Sequence, residues 1–65
     1  MKVSSVIINY VKETLLGYVR IVYTNAESAG VEKMMNDLTA MEVYHLLNKD
    51  VKAYFKIGEY WTIVV

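Results

Sequence analysis

The chain has no cysteine, no proline and a single histidine. Without cysteine there is no disulfide, no thiolate metal site and no cysteine nucleophile. One histidine cannot build a histidine-rich zinc site within one chain. Glycine is scarce, and Gly17, Gly30 and Gly58 fall in neither G-x-G-x-x-G nor G-x-x-x-x-G-K-[ST]. A phosphate-cradling loop and a nucleotide cofactor are therefore not expected. Long apolar runs are missing too, since none approaches the ~18 residues of a membrane span. The start, Met1-Lys2-Val3-Ser4-Ser5-Val6, lacks the charged and apolar regions of a signal peptide. The expectation is an intracellular, cytoplasmic protein without a membrane partner, cofactor or metal.

What the chain does have is apolar content, 55% of only 65 residues. That length makes one small domain, residues 1–65. A chain of this size buries only about 60% of its unfolded surface. Small domains compensate with disulfides, metals or oligomerisation, and composition leaves oligomerisation open. Net charge is zero, seven cations against seven carboxylates, so copies do not repel one another at long range. The acids cluster in the middle, where Glu27, Glu32, Asp37 and Glu42 stand against Lys33. Together they could mimic a phosphate-like surface, although caps and loop solubility account for them more simply.

Thr39 followed by Glu42 is a capping box, each side chain satisfying a free N–H at a helix start. It predicts a helix over 39–48, with Ala40, Val43, Tyr44 and Leu47 inward and Glu42, His45 and Lys49 outward. The rest reads mostly as strand. Residues 3–11 are rich in Val, Ile and Tyr, which favours a strand. The spacing of Val3, Val6, Ile7, Tyr10 and Val11 also fits a helix. The strand is preferred because Val-Ile-Ile packs well on a pleat and Ile8 would sit on the wrong helical side. A hairpin turn at Lys12-Glu13-Thr14 would then lead to a strand over 17–24. Residues 31–35 read as a short strand if Asn25 to Gly30 is a loop, or 25–36 as a helix broken by Gly30. Strands over 51–57 and 60–65 complete the chain. The fold expected is α+β: a mostly antiparallel sheet of four to five strands with one helix on one face.

The last hairpin has two possible registers. A two-residue Gly58-Glu59 turn pairs Ile57 with Tyr60 and Phe55 with Thr62. It separates Phe55 and Ile57 from Trp61, Ile63 and Val65, leaving the latter beside Lys52, Tyr54 and Lys56 on a non-core face that needs a partner. A longer loop or bulge gives one clean apolar face.

His45 with Glu42 could form a general base pair, but no Ser, Thr or second carboxylate completes a catalytic set, so no catalytic residue is assigned. The leading expectation is a non-enzymatic interaction or regulatory module. It would bind a protein partner stoichiometrically and self-associate as a homodimer. Its anchors would be Tyr54, Phe55, Tyr60, Trp61, Ile63 and Val65, with the C-terminal strand as a possible pairing edge. Chains of this size and character are often viral or mobile-element inhibitors of host or defence proteins, a base-rate expectation only. The alternative is a sheet-based nucleic-acid binder. Tyr10, Tyr18 and Tyr54 would stack bases while Arg20, Lys52 and Lys56 meet phosphates.

Overall fold

The computed structural model describes residues 1–11, 16–24 and 30–65. The expected turn at residues 12–14 and most of the expected loop, residues 25–29, lie outside them.

The first element corrects the strand expected over 3–11. It is helical: α1 (Val3–Val6) runs on as a π-helical stretch, Ile7–Val11. Val3, Val6 and Val11 are buried while Ile8 and Tyr10 face outward. Val6 and Val11 stand five residues apart, and i→i+5 winding brings that spacing onto one side. Tertiary packing thus overrides the β-preference of the Val-Ile-Ile run. The objection raised by Ile8 is met by leaving that one side chain in solvent. The segment is pinned by Val3 N–H donating to the Lys49 carbonyl (3.0 Å) and Val51 N–H to that of Met1 (2.8 Å).

A 3₁₀ turn (Leu16–Tyr18) leads into β1 (Val19–Tyr23), followed by β2 (Val31–Met34) and a second 3₁₀ turn (Met35–Asp37). Then come α2 (Ala40–Leu47), β3 (Ala53–Ile57) and β4 (Tyr60–Val64). The four strands form one sheet in the order β2-β1-β4-β3. β1 pairs antiparallel with β2 and parallel with β4, and β3 pairs antiparallel with β4. The sheet is mixed but mostly antiparallel, and the fold is a small α+β domain. The short third strand is present as β2, an edge. The C-terminal strand is central, not an edge, because β1 and β3 flank it on either side. Pairing with another chain through that strand is therefore ruled out.

The register of the last hairpin is that of the two-residue turn, with Ile57 opposite Tyr60 and Phe55 opposite Thr62. Gly58 has φ +60° and Glu59 a negative φ, the pattern of a type II′ turn with glycine at its first central position. This register fixes the two faces of the sheet. Val19, Ile21, Ile63 and Val65 are buried on one face, with Tyr23, Tyr54 and Trp61 packed against them. Both helices cover this face, contributing Val3, Val6, Val11 and Leu46 to the core.

α2 begins as the sequence predicts. Thr39 Oγ1 accepts from Glu42 N–H (3.2 Å), and Glu42 Oε1 accepts from Thr39 N–H (3.1 Å). Its inward face differs from the one expected. Leu46 is buried and Val43 and Leu47 are half-buried, while Ala40 and Tyr44 are exposed. The helix is rotated so that Val43, Leu46 and Leu47 lie over the sheet and Tyr44 turns to solvent. Among the described residues no helix is long and apolar enough to cross a membrane.

Candidate functional site

Among the described residues no helix lies on the opposite face of the sheet. Strand alternation puts Ala53, Phe55 and Ile57 of β3 on it, together with Tyr60, Thr62 and Val64 of β4. The β1–β4 and β1–β2 registers add Arg20 and Val22, then Met34 and Glu32. Phe55 (43% exposed), Ile57 (69%) and Tyr60 (40%) stand out into solvent. At the centre Thr62, paired with Phe55 on one side and Arg20 on the other, is only 6% exposed. Large side chains thus overlap small ones across this face. Among the described strand residues its charged side chains are Arg20 and Glu32, one of each sign. At one end the Arg20 guanidinium lies 5.7 Å from the centroid of the Tyr60 ring, which Tyr18 meets edge-on at 5.3 Å. The attraction of a cation for a ring face holds this cluster together.

A second aromatic group lies on the helix-covered side. Tyr10 stacks on Tyr54 at 5.0 Å, and Trp61 lies 6.3 Å and 6.4 Å from these two rings. Hydrogen bonding with Tyr10, then burial, raises the Tyr54 phenol above its usual value. The three rings fill the space between the N-terminal helix and the edge of the sheet.

A groove of about 280 Å³ lies between α2 and the β1–β2 pair, bounded by Tyr23, Lys33, Glu42, His45 and Lys49. Glu42 Oε2 pairs with Lys33 Nζ at 3.2 Å. The Glu42 carboxyl is held below the usual carboxylate value, first by the Thr39 N–H and then by Lys33. Burial, then the Glu42 charge, pushes the Tyr23 phenol up, against the pull of Lys33. With one oxygen on Thr39 and the other on Lys33, Glu42 is committed within the protein. The His45 ring meets Tyr44 edge-on at 5.6 Å. Among the described residues no three metal-ligating side chains converge on one point.

The expected anchors are divided between the two sides of the sheet. Phe55 and Tyr60 are on the open face. Tyr54, Trp61, Ile63 and Val65 are on the helix-covered face, and Ile63 is fully buried. The patch thought to need a partner is thus covered by the protein's own helices, and the face read as core is the one left open. The residues of the nucleic-acid alternative are divided as well. Tyr18 and Arg20 border the open face, whereas Tyr10 and Tyr54 stack on the other side. Lys52 and Lys56 alternate with Tyr54, and Lys52 Nζ donates to Thr24 Oγ1. Of the acidic group, Glu32 is on the open face and Glu42 in the groove, while Glu27 lies outside the described residues. Residues that composition did not single out, Ala53, Ile57, Val22 and Val64, complete the open face. Their signal was parity: once Gly58-Glu59 is taken as a two-residue turn, their side follows. Comparison of the chain with protein-family models, curated proteins and solved structures gave no match.

Proposed function

We propose that the protein is a non-enzymatic interaction module that binds a protein partner stoichiometrically through the open face of its sheet. The observation that supports this is the exposure of Phe55, Ile57 and Tyr60 on a face that no described element covers. A contiguous apolar patch with aromatic members is the usual composition of an interface centre. Glu42 is occupied by its cap and by Lys33, which argues against a His45–Glu42 base pair. Action in the cytoplasm, as an inhibitor or regulator of the bound protein, fits a chain free of cysteine. The test uses the chain as bait in a lysate of the organism that encodes it, beside Phe55→Glu and Met41→Glu baits. Met41 is 66% exposed on α2, away from the open face. A partner lost with Phe55→Glu and kept with Met41→Glu supports the reading. A partner kept by both baits, or lost with both, overturns it.

A second reading is supported by the Tyr18–Tyr60–Arg20 cluster, which offers rings and a cation on the open face. Single-stranded nucleic acid could stack there. One arginine against one glutamate neutralises few phosphates, so protein binding takes precedence. Failure to bind oligonucleotides at about 50 mM salt removes this alternative.

A further inference from the structure

We infer that the groove between α2 and the β1–β2 pair binds a small monocarboxylate with an apolar body, its carboxylate on Lys49 and His45 and its body on Val31 and Leu46. The groove lies on the helix-covered side, so the inference goes beyond the function proposed for the open face and does not depend on it. Its volume of about 280 Å³ falls just below the ~300–1,000 Å³ of pockets that enclose drug-sized molecules, so its occupant is smaller. Val31 of β2, 41% exposed, and the buried Leu46 of α2 form an apolar wall, and covering Val31 removes apolar surface from water. Tyr23, Lys33, His45 and Lys49 supply donors, and Glu42 supplies the one carboxylate. Two lysines against one carboxylate leave the groove positive by one charge, which favours an anion over a cation.

The existing ion pairs single out Lys49. Glu42 is occupied, one oxygen by the Thr39 N–H and the other by Lys33 Nζ. Asp50, next to Lys49 in sequence, pairs with Lys2 at 3.3 Å. Among the described residues Lys49 has no carboxylate partner. Its backbone is held at both ends, the N–H donating to the Leu46 carbonyl and the carbonyl accepting from the Val3 N–H, each at 3.0 Å. The side chain therefore leaves from a fixed point, four residues beyond His45 on the same groove. Burial, then the Glu42 charge, keeps the Tyr23 phenol protonated, so it adds a neutral donor. One unpaired lysine matches a monoanion better than a dianion such as phosphate, and an ion without a body leaves the apolar wall in water.

The experiment is a titration of the ¹⁵N-labelled chain with benzoate up to about 20 mM at low salt, followed by amide chemical shifts. Benzoate is expected to shift the amides of Val31, His45, Leu46 and Lys49 saturably. Benzamide has the body without the charge and acetate the charge without the body, and each should bind at least about fivefold more weakly. Lys49→Gln should weaken benzoate binding at least about fivefold. Lys56→Gln, on β3 at the opposite edge of the sheet from β2, should change it less than about twofold. The same spectra report whether each variant is folded. The benzamide and acetate comparisons use the wild-type chain, so they decide the matter even where Lys49→Gln does not fold. No saturable shift by about 20 mM overturns the inference. So do shifts centred outside the groove, benzamide or acetate equal to benzoate, or equal weakening by the two lysine variants. Each of these failures leaves the open-face reading standing, because the Phe55→Glu bait tests that reading separately.

Discussion

Two isoleucines on opposite faces of the same hairpin should differ sharply in what they contribute. Ile63 is fully buried, level with Ile21 in β1 and Tyr54 in β3. Ile57, six residues earlier, is 69% exposed. Ile63→Ala deletes three buried carbons, worth about 2.4 kcal/mol of transfer at ~0.8 kcal/mol each. The cavity left between two packed strands raises this to about 3–4 kcal/mol. A 65-residue chain has a total stability of about 3–10 kcal/mol, so this loss removes much of it. The midpoint of thermal unfolding should fall by about 12–30 °C. Ile57→Ala should stay within about 0.5 kcal/mol. Urea and thermal denaturation followed by circular dichroism give both numbers. If the two substitutions cost the same, Ile57 is buried, the hairpin has the longer-loop register, and the assignment of the sheet faces fails.

Three further outcomes are expected. Thr39→Ala removes the acceptor that holds the Glu42 N–H and should cost about 1 kcal/mol in chemical denaturation, whereas Thr39→Ser should cost little. Glu42 ionises below the usual 4.5 in the folded state, so its contribution to stability is full above that value and lost as pH falls through the folded pKa. Wild type and Glu42→Gln should therefore converge in stability below that window, and a carboxyl titration by NMR placing Glu42 at or above 4.5 would contradict this. The Tyr54 phenol is raised, so its contribution is present below 10 and lost as pH rises through the folded value; Tyr10→Phe should bring the ultraviolet titration of Tyr54 back toward 10.

Features fixed by local chemistry were legible in the sequence. The Thr39–Glu42 box starts α2 where its side chains dictate, and residues 19–23, 53–57 and 60–64 alternate as strands must. The hairpin register stayed open between two readings in the sequence, and Gly58, free to take positive φ, meets what the two-residue turn requires. Two things depended on contacts between distant segments. Residues 3–11 carry both helical spacing and β-branched content, and the need to cover Trp61 and Ile63 decides between them. The open face could not be named without knowing which side the N-terminal helix takes. The sequence placed Phe55 and Trp61 among the aromatic anchors, and the sheet puts them on opposite sides. The central position of β4 depended likewise on its parallel pairing with β1, which no local signal announces.

The most direct test of the central claim is side-chain NMR of the chain in the presence of a soluble paramagnetic agent. The account predicts strong relaxation at Phe55, Ile57 and Tyr60 and little at Ile63 and Ile21. Equal relaxation on the two faces of the sheet, or protection of Phe55 and Ile57, would contradict it.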